Sequence, residues 1–307
     1  MTTANLIMFI ALSGIYEPSA IQQLPDGRFL VVEDEKALPF SLVKIHPDGT
    51  TSSTPLITDT VELDTGFSKL DDLEGITIDP SGFIYAITSH SRNNAGEEKK
   101  SREKLVRFRI EGEHAVSPVV VTGLKAALTA AHPVLASGAA VMDAKTEGGL
   151  NIEALEITPD AQRLMIGFRS PLLQQQAIIA SIENPSAIFE DGVTARISSQ
   201  LITLDLGGHG IRGMSYIPVL GGYLVISGPV AREQVQFQLW FWNGKPGESP
   251  RRISVAGLPG FEHAEGVSQA MIDGRPHIII VSDDGNREEG RHARFLLLAP
   301  EHLEIQP

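Results

Sequence analysis

The stretch Leu73–Asn93, LEGITIDPSGFIYAITSHSRN, decides how this chain folds. Two runs rich in apolar and β-branched residues flank Asp79-Pro80-Ser81-Gly82. That segment is turn chemistry, because proline fixes φ and glycine admits the positive φ of a tight reversal. The stretch is therefore expected to be a hairpin, with an acid (Glu74) at its start and the polar cluster Ser89–Asn93 at its end.

The same figure recurs along the chain. One copy runs from Glu17 to Asp34 around Pro25-Asp26-Gly27, and another starts at Glu153 and turns at Pro159-Asp160-Ala161. A further copy starts at Arg212 and turns at Gly221-Gly222, and the last starts at Glu265 and turns at Asp273-Gly274. Anchors at 17, 74, 153, 212 and 265 are separated by 57, 79, 59 and 53 residues, and the interval that closes through the termini is 59. Near-even spacing with a fitting closure is the mark of radial repetition. The expected fold class is all-β, a β-propeller of five four-stranded blades in a single domain spanning 1–307. Six blades are the alternative, with one hidden in the long second interval. The last copy has only three strands before the chain ends, so the apolar run Asn5–Ala11 is expected to supply its fourth. Pairing the two ends of the chain also removes exposed sheet edges.

Residues 124–149 interrupt the pattern. The segment is alanine-rich, with Leu124, Leu128, His132 and Leu135 near helical spacing. A short helix and loop between blades is expected there, either padding one face or forming a lid over the channel.

Composition bounds the function classes. Apolar residues at 42% suffice for a sizeable core, and the formal net charge of −13 argues against a broad nucleic-acid surface. The chain has no cysteine, which excludes disulfides, thiolate metal sites and cysteine nucleophiles. The apolar run Leu6–Leu12 is short and no basic residue precedes it. A strand is expected there rather than a secretory leader or a membrane span, with the cytoplasm as the default location.

In a hairpin, the start of the first strand lies beside the end of the second. Glu17 is thereby expected beside Glu33 and Asp34, Glu74 beside Ser89, His90 and Arg92, and Glu153 beside Arg169. Arg212 should meet Gly228, and Glu265 should meet Asp283 and Asp284. If the first strands are innermost, these five corners converge on one mouth of the central channel. Two like charges about 4 Å apart repel by about 4 kcal/mol at an effective dielectric near 20. A ring of acids must then pair with arginines, hold protons or hold a cation. Hard oxygen donors without cysteine suit Ca2+ or Mg2+.

The candidate catalytic residues are Glu74, Glu153 and His90, the last as a proton shuttle. Candidate ligand-binding residues are Arg92, Arg169, Arg212 and Glu17, and candidate metal ligands are Glu265 and Asp283. The competing reading of the same charges is that they tie blades together through salt bridges. Other motifs fail on context. Gly208–Gly213 fits G-x-G-x-x-G, but strands rather than a helix follow it. Glu262-His263-Ala264-Glu265 lacks zinc spacing, and Asp283-Asp284-Gly285-Asn286 lacks the glutamate a calcium loop needs.

At LEGI (73–76), SHSRN (89–93), SREKLVRFRI (101–110), NIEAL (151–155), GFRSPL (167–172), LDLGGHGIRGM (204–214), SGP (227–229) and AEGV (264–267), the chain resembles a bacterial family of unknown function, the domain of unknown function 3616. The resemblance implies a β-propeller and carries over no catalytic residue. The E-G-[IV] strands are also similar in architecture to the esterase-like phytase and lactonase propellers, whose acidic rings can bind calcium. That likeness places ester or phosphoester hydrolysis among the expectations. The expected function is a polar mouth pocket for a small polar or anionic ligand, with a divalent cation assisting. The alternative is a non-catalytic scaffold that binds a protein partner on the ring's face.

Overall fold

Five antiparallel sheets form a closed ring in the computed structural model, which describes residues 7–34, 39–58, 66–144, 146–230, 236–261 and 263–307. Blade one comprises Pro18–Gln23, Phe29–Glu33, Phe40–Ile45 and Thr51–Pro55, and blade two Leu73–Ile78, Ile84–Thr88, Leu105–Glu111 and His114–Val121. Blade three comprises Asn151–Ile157, Leu164–Ser170, Ala177–Ile182 and Ile202–Leu204. Blade four comprises Gly210–Ile217, Gly222–Gly228, Gln238–Trp242 and Arg251–Val255. Blade five is built from Ala264–Ile272, Arg275–Ser282 and Arg294–Leu298, and the N-terminal strand Ile10–Ala11 completes it by pairing with Phe295 and Arg294. Five blades, rather than six, fill the ring. The terminal closure is as the repeat count requires, although Asn5 and Leu6 of the expected closing run lie outside the described residues. The chain then adds Leu303–Ile305 to the outer edge of blade four, an extra strand that the repeat pattern did not signal.

The hairpins follow from their turn residues. In blade two, Asp79 Oδ1 accepts the Ser81 and Phe83 amides at 2.9 Å, and Gly82 takes φ 83°. The acid thus holds the reversal that the glycine permits.

The first strand of each blade is innermost and touches the first strands of both neighbouring blades. Each carries a β-bulge at one residue: Ser19, Glu74, Glu153, Arg212 or Glu265. A bulge re-aims its extra residue, and here the residues so turned line the channel mouth. The first true anchor is therefore Ser19, two residues after the expected Glu17. After every bulge comes glycine or alanine. A Cβ on Gly75 would stand 2.7 Å from the Leu155 amide nitrogen of blade three, and one on Gly266 would stand 2.9 Å from Ala20 Cα of blade one. A Cβ on Gly213 would fall on the Glu265 carbonyl oxygen. Five inner strands around one axis leave no room for a larger residue there.

The residue after that small one is apolar and drops into one of five separate cores, each a wedge between adjacent blades. Ile76 enters the wedge between blades one and two, Leu155 that between two and three, and Met214 that between three and four. Val267 and Ile21 fill the remaining two. The insertion forms two short helices, Leu124–Ala131 and Pro133–Ala140, rather than one. Leu124, Leu128 and Leu135 pack into the wedge between blades two and three. The insertion therefore pads that junction, and none of its described residues lines the mouth cavity.

We expect Gly75→Ala to lower the urea midpoint by the equivalent of about 1–3 kcal/mol, the usual range for overpacking, with an unchanged m-value. An unshifted midpoint would mean that the inner strands have slack the geometry does not show.

Candidate functional site

The five bulges deliver Ser19, Glu74, Glu153, Arg212 and Glu265 to one end of the channel, where they line a cavity of about 340 Å³. Segments flanking the inner hairpins add Glu17, Asp34, Asp72 and Asp283, and the hairpin strands of blade three add Asn151 and Arg169. Of the sequence-based candidates, Glu17, Glu74, Glu153, Arg169, Arg212, Glu265 and Asp283 thus share one cavity.

His90 and Arg92 do not reach it. Leu73 pairs with Thr88, and the Ser89 amide still donates to the Asp72 carbonyl. The chain then turns away at His90, which adopts φ 56°. Its Nδ1 lies 2.8 Å from the Thr88 carbonyl, its Nε2 has no partner, and burial lowers its pKa to about 4. A neutral imidazole shut away from the cavity shuttles no proton there. Arg92 ties down its own loop and the insertion, bonding the Gly96 and Ala139 carbonyls and pairing with Glu98 at 3.3 Å. The hairpin rule placed both residues one step too far along the strand end.

Arg212 sits between two of the acids. Its Nε lies 3.1 Å from Glu153 Oε2, and its Nη2 pairs with Glu265 Oε1. Glu153 Oε1 also receives Arg169 Nη1 at 3.2 Å and Asn151 Nδ2 at 3.0 Å. Arg169 is steadied by donating to the Pro229 carbonyl. Asp72 is paired with Arg102 at 3.0 Å and accepts from Ser91. Glu74 differs: among the described residues, no ion pair or hydrogen bond reaches its carboxylate. Glu74, Glu153 and Glu265 are all buried, and each offers an oxygen within 4.8 Å of the other two.

Seven carboxylates line the cavity and two guanidinium groups do. Burial, reinforced by Glu153, Asp72, Glu265 and Asp34, holds the Glu74 carboxyl well above its usual range. Burial pushes Glu265 up to about 8 despite Arg212 beside it, and Asp283 up to about 6 with help from Glu17. Burial disfavours the Arg212 charge, but Glu153, Glu265 and Glu74 outweigh it, so the guanidinium persists. The three shifts run in one direction, towards the protonated carboxyl. Asp72, Asn151 and Ser19 escaped the sequence reading, as did Arg102 behind them. A usable signal existed for two of these. Asp72 precedes LEG directly, and Ser19-Ala20-Ile21 has the same polar-small-apolar order as Glu74-Gly75-Ile76. Glu262 of the Glu262–Glu265 cluster lies outside the described residues.

The family described as "Protein of unknown function (DUF3616)" matches residues 140–297, just over half of the chain. The chain belongs to this family. The DUF3616 match takes in Glu153, Arg169, Arg212, Glu265 and Asp283 but stops short of Glu74, and the LEGI and SHSRN segments lie before it. No curated protein matches the chain in sequence. Among solved structures, the chain is similar to the PQQ-bound form of aldose sugar dehydrogenase from Streptomyces coelicolor, with 17% identity over 97% of this chain and 98% of that one and a TM-score of 0.44. It is also similar to streptogramin B lyase, with 11% identity, 98% and 97% coverage and a TM-score of 0.36. A third is the Malassezia sympodialis allergen Mala s 1, with 11% identity, 92% and 79% coverage and a TM-score of 0.41.

Two outcomes follow from the charge balance. Arg212→Met removes the ion-pair partner of Glu265 and leaves Glu153 with Arg169 alone, and should cost about 3–5 kcal/mol at neutral pH in urea titrations. Adding Glu265→Gln should recover part of that loss, and a neutral effect of Arg212→Met would overturn the pairing.

The second outcome concerns Glu74. Its pKa is raised on folding, so the stability it contributes is fully present below the unfolded value near 4.5 and is lost as pH rises through the folded value. The slope is at most about 1.4 kcal/mol per pH unit. In chelator, Glu74→Gln should therefore be more stable than wild type at pH 8 and equal to it at pH 4. The reverse order at pH 8 would show that Glu74 is compensated.

Proposed function

We propose that the mouth cavity holds a divalent cation on Glu74, Glu153 and Glu265, and through it binds a small polar or anionic ligand that it hydrolyses as an ester or phosphoester. One observation carries this reading: three buried carboxylates offer oxygens within 4.8 Å of one another, and among the described residues Glu74 has no ion pair. Hard carboxylate oxygens suit Ca2+ or Mg2+, both of which leave coordination positions for water and ligand oxygen. The cation replaces the protons that the crowded acids otherwise keep, so its binding strengthens with pH.

Arg169 stands at the cavity wall as the group for a ligand's negative charge. Arg212 is occupied by Glu153 and Glu265 and orients those ligands instead. Asp283, with its pKa near 6, is matched to a general base at neutral pH. It takes a proton from water, and the oxygen attacks the carbonyl carbon or phosphorus. The bond to the alcohol oxygen breaks, and the leaving alkoxide receives the proton. The cation's contribution is to stabilise charge on the attacked group's oxygen.

After chelation, Ca2+ or Mg2+ should raise the melting temperature. At 100 times Kd the gain is about 2.7 kcal/mol, and Glu74→Gln with Glu265→Gln should abolish it. Asp283→Asn should keep that shift while slowing release of nitrophenol from nitrophenyl esters or phosphates by about 100-fold or more. No thermal shift with either ion, alongside a stable captured protein partner, would instead favour a non-catalytic scaffold.

A further inference from the structure

Three residues beyond each bulge, every inner strand again places a polar residue in the interior. These residues are Gln22, Thr77, Glu156, Ser215 and Ser268, all less than a tenth exposed. At about 3.3 Å per residue they lie about 10 Å further down the channel, at the end opposite the mouth. There Gln22, Thr77, Glu156 and Ser215 line a second cavity of about 280 Å³, to which blade five contributes Gln269. Its rim mixes Pro80, Pro159 and Pro218 from the turns of blades two, three and four, and Tyr216, with the polar Thr158, Gln269 and Asp79. The Asp79 carboxylate is taken up by the Ser81 and Phe83 amides and the Tyr85 hydroxyl.

Glu156 is the only carboxylate in that polar ring, and it is held in a fixed orientation. Its Oε1 accepts the Tyr216 amide at 2.9 Å, and its Oε2 accepts the Thr77 hydroxyl at 3.0 Å. Thr77 is itself fixed by accepting the Ile157 amide. Among the described residues, however, no basic side chain pairs with Glu156. This contrasts with the mouth, where Arg212 and Arg169 stand against the acids. A buried carboxylate oriented by two donors but given no counter-charge is costly, and either a proton or a bound cation relieves that cost.

We propose that this end of the channel is a second binding site, for the primary ammonium of a short alkylamine. The ammonium is a compact point charge with three donors. It would set one donor on Glu156 and the others on neighbouring oxygens of the ring, such as Ser215 Oγ. Its carbon chain would lie along the prolines of the rim. A quaternary ammonium offers no donor, and an anion meets a carboxylate, so both are excluded. The site is independent of the mouth and of any cation there.

The test is calorimetric titration of the full chain with n-butylammonium, with tetramethylammonium and butyrate as controls. Burial pushes Glu156 up to about 8, so the amine must displace a proton at neutral pH. Affinity should then rise close to tenfold per pH unit from 6 to 7 and level off above about 8, with proton release. Glu156→Gln should weaken binding at least tenfold, and thermal unfolding reports whether that variant is folded. The pH profile and proton release of the wild-type protein test the same point without any substitution. Glu74→Gln with Glu265→Gln should leave amine binding unchanged, which separates this site from the mouth. The proposal is overturned if butylammonium gives no binding at pH 8.5, or if tetramethylammonium binds equally well. It also fails if the affinity is flat with pH, or if the mouth variant rather than Glu156→Gln removes binding.

Discussion

The constraint on which the molecule depends is the close approach of five backbones around one axis. Gly75 against Leu155, Gly213 against Glu265 and Gly266 against Ala20 leave no space for a side chain. The only route for a side chain into the channel at that level is the residue before, and the bulge turns it there. The small residue, the bulge and the inward polar group are thus one device, repeated once per blade. The next residue, apolar in every copy, then falls into an inter-blade wedge. Fold closure and site construction share the same three positions, and packing cannot be altered there without moving the site.

That coupling explains why a charged mouth is tolerated. Inward bulge residues lie between rigid strands and have few rotamers with which to escape one another. Arg212 occupies the position where the other late blades carry glutamate, and it is this exchange of sign that lets Glu153 and Glu265 coexist. Among the described residues Glu74 has no such ion-pair partner, and the crowding appears as a carboxyl pKa held well above its usual range. A fully self-compensated ring would be more stable and chemically inert. The imbalance at Glu74 is the feature on which the proposed cation site rests.

Much of this was legible in the residues. Pro-Asp-Gly and Asp-Pro-Ser-Gly turns marked the hairpins, their spacing favoured five blades with six as the alternative, and the closing N-terminal strand followed from a missing partner. The cavity's main acids and arginines were also legible, because strand pairing converts a sequence offset into proximity. What failed did so for local reasons. A one-residue bulge is invisible in a spacing count, so Glu17 stood in for Ser19. The left-handed turn at His90 has no glycine to announce it, so His90 and Arg92 were carried into a cavity they do not enter. Arg102, which pairs with Asp72 from a distant loop, left no periodic trace at all.

The second polar ring shows the same repeat read one step deeper. LEGIT, IEALE, IRGMS and AEGVS each end on a polar residue three places after the bulge, and PSAIQ does so in blade one. In four copies that residue is neutral, as expected for a channel filled by hydroxyl and amide groups. Glu156 departs from it alone, at a place where an uncharged side chain would satisfy the Thr77 and Tyr216 donors at lower desolvation cost. Compensation within the ring cannot account for it, since no arginine answers it as Arg212 answers Glu153. A carboxylate kept at such a position is better understood through what enters the channel from outside than through what holds the blades together.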